Sequence, residues 1–196
     1  NSLISIAAKR DIAKSIRMKI NNIKLKEFAR SFKFNETEDQ TICLSEVFND
    51  LTSLKPMDRL ICGDVGFGKT EIALRAAFIT SLNNLKSIII VPTTLLANQH
   101  YKNFKDRFLT HTEVELITRN TTKNNKNIIL KKFEGTKCNI LIGTHALFAL
   151  NFDNISLGLI IVDEEQHFGV SQKEKIRSLK SNINLLTLTA TPIPRT

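Results

Sequence analysis

The run Gly63-Asp64-Val65-Gly66-Phe67-Gly68-Lys69-Thr70 fits the spacing G-x-x-x-x-G-K-[ST]. Leu60-Ile61-Cys62 precedes it and reads as a buried strand, and the stretch from Glu71 to Phe78 reads as a helix. In that setting each residue type has a task. Gly66 and Gly68 permit backbone angles that a Cβ forbids, so successive N–H groups can converge on a phosphate chain. Lys69 would bring positive charge to the β- and γ-phosphates, and the Thr70 hydroxyl would ligate Mg²⁺. Glu71 opens a helix whose N-terminal dipole favours the anion. A plain glycine turn would explain Gly66 and Gly68 but not the Gly-Lys-Thr ending.

A second group of chemistry-bearing residues lies about a hundred positions on. Leu159-Ile-Ile-Val162 ends in Asp163-Glu164, two carboxylates just past an apolar strand. Asp163 would hold Mg²⁺, and Glu164 would orient and deprotonate an attacking water. Acidic residues often end strands for solubility alone, but here they share a chain with a phosphate loop, and the pair forms one constellation. Thr189-Ala190-Thr191-Pro192 closes the last apolar run, and its hydroxyls could bond to the acidic cluster or could mark an ordinary exit from a strand. Pro92-Thr93-Thr94 and Gly143-Thr144-His145 likewise follow apolar runs. Each would set hydroxyls and free N–H groups at a strand end, as an N-cap or as a cradle for a nucleic-acid backbone. Their repetition on one sheet edge favours the cradle.

The elements that position these groups follow from apolar periodicity. Strand-like runs at 58–62, 87–91, 114–118, 139–142, 158–162 and 185–189 alternate with helical stretches at 69–83, 94–109, 124–134 and 171–180. Continuous apolar runs such as 87–91 suit strands covered on both faces. The βαβ rhythm predicts an α/β fold, a doubly wound, mostly parallel sheet with nucleotide at the carboxyl ends of its strands. Thr37 reads as an N-cap whose capping box Gln40 closes, with a helix to about Ser53. Residues 3–31 suggest a connecting helix from an upstream domain, broken near Asn21-Asn22, with Ile4, Ala8, Ile12, Ile16 and Ile20 on its apolar face. The stretch 118–127 reads as a polar loop.

A chain of 196 residues suits one α/β domain with a small appendage, and 42% hydrophobic with 24% charged residues is ordinary globular composition. No apolar run nears the roughly 18 residues of a membrane span, and the N-terminus lacks a signal-peptide pattern. The chain opens on Asn1 rather than Met, which points to a piece of a longer protein. Its net charge of +9 suits a polyanionic partner. Cys43, Cys62 and Cys138 are odd in number and far apart, so they read as buried thiols of a reducing, cytoplasmic setting. His100, His111, His145 and His167 show no ligand spacing.

Joined together, these motifs resemble the first, RecA-like motor lobe of a superfamily 2 DNA translocase, and within it the bacterial transcription-repair coupling factor family. Residues 57–71 resemble that family's phosphate-loop region, 91–101 its motif Ia, and 142–145 its motif Ib. Asp163-Glu-Glu-Gln166 followed by Phe168-Gly-Val resembles its DEEQ box, and 186–196 its motif III. The resemblance covers about residues 32–196, leaving 1–31 as a linker or relay helix. The related RecG-like fork-remodelling helicases usually carry a small residue at the position of Phe67 and Asp-Glu-Gln-His in the acidic box, so Phe67 and Glu165-Gln166 favour the coupling factor. His167 stands where that family often has Arg.

The resemblance implies an ATP hydrolase using ATP and Mg²⁺, with Gly63, Asp64, Val65, Gly66, Phe67, Gly68, Lys69, Thr70 and Glu71 around the nucleotide. Gln40 would read the adenine edge while Phe32 or Phe34 stacks on the ring. Lys69, Asp163 and Glu164 would be catalytic, with Thr70 and Asp163 on the metal. Thr93, Thr94, Arg119, Gly143, Thr144 and His145 would touch double-stranded DNA. Implied partners are a second RecA-like lobe of the parent chain, and RNA polymerase and excision-repair proteins bound outside this segment; no membrane is implied. A small-molecule phosphotransferase, which leaves Thr93-Thr94 and Thr144-His145 unused, and a non-catalytic nucleic-acid adaptor, which leaves the loop with Asp163-Glu164 unexplained, are the other classes.

Overall fold

The computed structural model describes residues 14–32, 35–64, 66–178 and 182–190. Its elements are α1 (Asn22–Arg30), α2 (Glu38–Leu51), β1 (Asp58–Cys62), α3 (Lys69–Leu82), β2 (Lys86–Ile90), α4 (Thr94–Phe108) and β3 (Glu113–Ile117). They continue with α5 (Lys123–Glu134), β4 (Cys138–Gly143), β5 (Leu157–Asp163), α6 (Val170–Ser178) and β6 (Asn184–Thr189). The strands form one sheet in the order β1-β6-β5-β2-β4-β3, and every pairing is parallel. All six carboxyl ends therefore lie along one edge. Among the described residues no helix is long and apolar enough to cross a membrane.

The period of two explains why β2 and β5, buried along their whole length, are mostly apolar on both faces. Ile89, Leu159 and Ile161 pack with the helices α1 to α4, whereas Ile88, Ile90, Ile160 and Val162 join Phe133, Phe168 and Ile176 on the other face. Asp163, next in the alternation, shares the parity of Leu159 and Ile161 and so turns toward α4. Helix α3 is buried along most of its length, from Glu71 to Thr80. Charged groups on it must therefore be paired. Glu71 accepts from Arg75 at 2.8 Å and from Arg107 at 2.7 Å, and Arg75 also reaches Glu36. Burial alone would lower the Arg75 pKa, but its hydrogen bonds to Glu36 and Glu71 hold it above its ordinary value.

The helix expected over 3–31 is, among the described residues, only α1; Asn21 caps it by accepting from the Lys24 N–H at 3.1 Å. Residues 14–20 form no helix, and Ile16, placed on a buried face, is 55% exposed. Met18 is buried instead, and Phe28 stacks on Phe78 with ring centroids 4.2 Å apart. Ile4, Ala8 and Ile12 lie outside the described residues.

Strand β1 was expected to be buried, but it is an edge strand in which Ile61 alone is buried. Cys62 is accordingly exposed and Cys43 half-buried, leaving Cys138 as the buried thiol, its pKa pushed up to about 12 by burial. The polar stretch 118–127 is a loop only as far as Thr122, whose hydroxyl accepts from the Asn125 N–H and starts α5.

Candidate nucleotide-binding site

The glycine loop leaves the end of β1 and enters α3. Gly66 and Gly68 have φ of 95° and 81°, left-handed values that strain any residue with a Cβ. Gly68 is the N-cap of α3, so the amino end of that helix opens onto the loop. The Lys69 ammonium folds back on the loop, donating to the Gly63 carbonyl and to the Asp64 carbonyl at 3.0 Å. The Gly63 N–H donates to the Thr189 carbonyl at 3.1 Å, tying the loop to β6. Val65 and Phe34 lie outside the described residues.

Thr37 and Gln40 make the expected capping box at the start of α2. The Gln40 side chain does more: its Oε1 accepts from the Thr37 N–H at 3.0 Å, and its Nε2 donates to the Phe67 carbonyl. Both ends of the amide are thereby used, and α2 is fastened to the loop.

The acidic half comes from β5. Strand β6 lies between β1 and β5, so the loop and the carboxylates leave strands that are not neighbours. They still meet, because the two strands end on the same edge and the loop reaches across. Lys69, Thr70, Asp163 and Glu164, with Phe32 and Gln40, line one cavity of about 540 Å³. Asp163 is nearly buried and lies 2.7 Å from His100 Nε2 of α4. Glu164 has φ 56°, a left-handed conformation unusual for a residue with a side chain. Backbone strain of this kind concentrates at functional sites. The Gln166 amide donates to Glu164, and Thr189 donates to Gln166 Oε1 at 2.8 Å. The hydroxyl of Thr189 thus reaches Glu164 through Gln166, by two successive hydrogen bonds. Thr191 and Pro192 lie outside the described residues.

The donor set fits Mg²⁺ with a nucleotide phosphate chain. One carboxylate and one hydroxyl suit a hard cation that keeps most of its waters and takes phosphate oxygens. A helix amino end with left-handed glycines suits the phosphates. A cavity of about 540 Å³ is in the range of small-molecule sites. Glu71, placed around the nucleotide by resemblance, has its carboxylate committed to Arg75 and Arg107 and its N–H to the Gly68 carbonyl.

The residues assigned to nucleic acid share the sheet edge but differ in access. Thr93 is exposed and caps α4, accepting from the Leu96 N–H at 3.2 Å. Thr94 is half-buried; Arg119 and His145 are exposed. Gly143 and Thr144 are buried, and a Cβ on Gly143 would come within 2.3 Å of the Ile117 carbonyl. The close approach of two strands, rather than a ligand, explains that glycine.

His100 is the site residue that spacing missed. It lies 63 positions from Asp163, and no local pattern reports such a pair. Its place among Ala97, Phe104 and Phe108 on the buried face of α4 was the available signal.

The chain is 48% identical over 195 residues to the transcription-repair-coupling factor of Haemophilus influenzae, covering 99% of this chain and 17% of that protein. It is 45% identical over 195 residues to that of Escherichia coli (99% and 17%) and 43% identical over 197 residues to that of Bacillus subtilis (100% and 17%). The chain thus spans 17% of the length of these relatives. Among solved structures, RecG bound to a three-way DNA junction superposes with a TM-score of 0.81 at 34% identity, covering 97% of this chain and 26% of that one. The UvsW helicase of bacteriophage T4, at 19% identity and TM-score 0.63 over 89% of this chain and 62% of that one, shares the RecA-like fold. The DEAD/DEAH box helicase profile matches residues 37–196, from the capping box to the last residue, and the chain belongs to that family.

Proposed function

We propose that this chain is the ATP-binding lobe of an ATP-dependent double-stranded DNA translocase of the transcription-repair coupling type, which displaces stalled RNA polymerase and promotes repair. The observation that carries the reading is identity of 43–48% along essentially the whole chain to relatives of that name, with Lys69, Thr70, Asp163 and Glu164 around one cavity. RNA polymerase and repair proteins would bind outside this segment, residues 1–31 would link it to an upstream module, and the setting would be cytoplasmic.

In this reading Lys69 leaves the Gly63 and Asp64 carbonyls for the β- and γ-phosphates, and the loop N–H groups take the remaining oxygens. Thr70 and Asp163 hold Mg²⁺, which when bound screens the charge of the phosphate chain. Glu164 orients the water and takes its proton. Gln40 exchanges its bond to Phe67 for the adenine edge, and Phe32 or Phe34 stacks on the base. A second RecA-like lobe closes the cleft and supplies an arginine, an addition that reaches about 10³-fold or more. Alone, this lobe is expected to bind ATP weakly and hydrolyse little. Thr93, Thr94, Arg119 and His145 contact the DNA backbone, with the Gly143 and Thr144 backbone beneath them, and that grip is sequence-blind and salt-sensitive.

ATPase activity of the full-length protein, with and without duplex DNA, is the test: several-fold stimulation supports the motor, and none favours a phosphotransferase or adaptor. The 34% identity to RecG supports a second reading, a remodeller of branched DNA. Activity on a three-way junction without displacement of stalled polymerase would select it.

A further inference from the structure

Helix α4 serves two places at once. Leu96, Gln99, His100 and Asn103 on it line the nucleotide cavity. Its first turn reaches the sheet edge, where Thr93 is exposed and Leu95 is 70% exposed. His100 is where this helix touches the acidic centre, through Nε2 at 2.7 Å from Asp163 Oδ2. An ionised carboxylate only accepts, so Nε2 carries the hydrogen. His100 Nδ1 is buried with no hydrogen-bond partner among the described residues. The ring packs on Phe104 with centroids 6.1 Å apart, but its polar tether is Asp163. An apolar side chain would fill this space without leaving a bare nitrogen; what the imidazole adds is the contact to the carboxylate.

We propose that His100 is a positioning residue that fixes one oxygen of Asp163, leaves the other for the metal, and carries any displacement of α4 to that carboxylate. The inference rests on the nucleotide reading of the cavity and extends it. A polyanion engaging the Thr93–Thr94 end of α4 bears on the helix that holds Asp163. This route to the metal is separate from the chain Thr189–Gln166–Glu164, which reaches the water-activating carboxylate from β6. Outer partners of metal ligands commonly change metal affinity or activity by about 10- to 100-fold when removed.

The test compares wild type, His100→Leu, His100→Gln and His100→Asn in two measurements. The first is ATP binding with Mg²⁺ and with chelator. His100→Leu should lose about 10-fold or more of the gain that Mg²⁺ confers, with chelator-bound affinity unchanged. His100→Gln, whose amide nitrogen reaches the place of Nε2, should restore most of it; the shorter His100→Asn should not. The second is nitrogen-15 spectroscopy of labelled histidine in the wild type, which requires no variant to fold. It should find the proton of His100 on Nε2 and a shift on adding Mg²⁺ and ATP. In the full-length protein, His100→Leu should also lower stimulation by DNA without weakening DNA binding. A Mg²⁺ gain unchanged in His100→Leu, or a proton on Nδ1, overturns the role of His100 alone. If the wild type shows no Mg²⁺-dependent ATP binding, the reading of the cavity falls and the proposal falls with it.

Discussion

Thr189 donates its hydroxyl hydrogen to Gln166 Oε1 at 2.8 Å, and the Gln166 amide donates onward to Glu164. The last strand is thus connected side chain to side chain with Glu164, the group proposed to activate water. The backbone runs the same way, for the Glu164 N–H donates to the Leu188 carbonyl at 2.9 Å. A shift of β6 cannot leave Glu164 unmoved, and β6 also accepts from the phosphate loop at Gly63.

Thr189→Val removes the hydroxyl while keeping the shape. We predict ATP affinity within about twofold of wild type and a several-fold drop in DNA-stimulated turnover of the full-length protein, since one hydrogen bond to the relay is lost. Steady-state kinetics with and without duplex DNA would check this; equal loss in both conditions would make Thr189 merely structural.

Lys69→Ala should abolish measurable ATP binding and leave the fold intact, because among the described residues the ammonium bonds only loop carbonyls. Calorimetric titration together with circular dichroism tests it. An unchanged affinity would overturn the assignment of the loop.

Glu164→Gln in the full-length protein should keep ATP binding and slow turnover by about 10²- to 10⁴-fold, the range for loss of a general base. Normal turnover would move the base to another residue.

Glu71 separates stability from ligand binding. Its carboxylate is 5% exposed and faces two guanidinium groups. Glu71→Ala should cost about 3 kcal/mol, since it strands buried charge. Nucleotide affinity should change little, measured at a temperature where the variant is folded. A large loss of affinity with unchanged urea midpoint would return Glu71 to the nucleotide.

Much of this arrangement was legible in the sequence because it is local. The loop is a contiguous string, the capping box is a three-residue offset, and the unbroken apolar runs Ile88–Ile90 of β2 and Leu159–Val162 of β5 announce two covered faces. What failed was non-local. Whether β1 lies at the centre or the edge depends on where β6 inserts, so the burial of Leu60 and Cys62 was misread. Ile16 fits a helical period, yet the backbone of Ser15 and Met18 instead donates to the Leu54 and Leu51 carbonyls, and Met18 takes the buried place. The pairing of His100 with Asp163 joins a helix to a strand two crossovers later, and only the fold brings them together.

Thiol labelling checks the edge position of β1. Cys62 should react in the native protein, whereas Cys138, buried with its pKa pushed up to about 12, should stay protonated at neutral pH and react only on unfolding. Rapid native labelling of Cys138 would contradict the packing of β4.

We propose that Lys69 and Asp163 act on one nucleotide, the lysine on its phosphates and the carboxylate on its Mg²⁺. Titration of a fluorescent ATP analogue into wild type and Asp163→Asn, each with Mg²⁺ and with chelator, tests this most directly. We predict that Mg²⁺ tightens binding to the wild type about 10-fold or more and that Asp163→Asn loses most of this gain, while both bind alike in chelator. An equal Mg²⁺ gain in the two proteins would mean that Asp163 does not hold the metal.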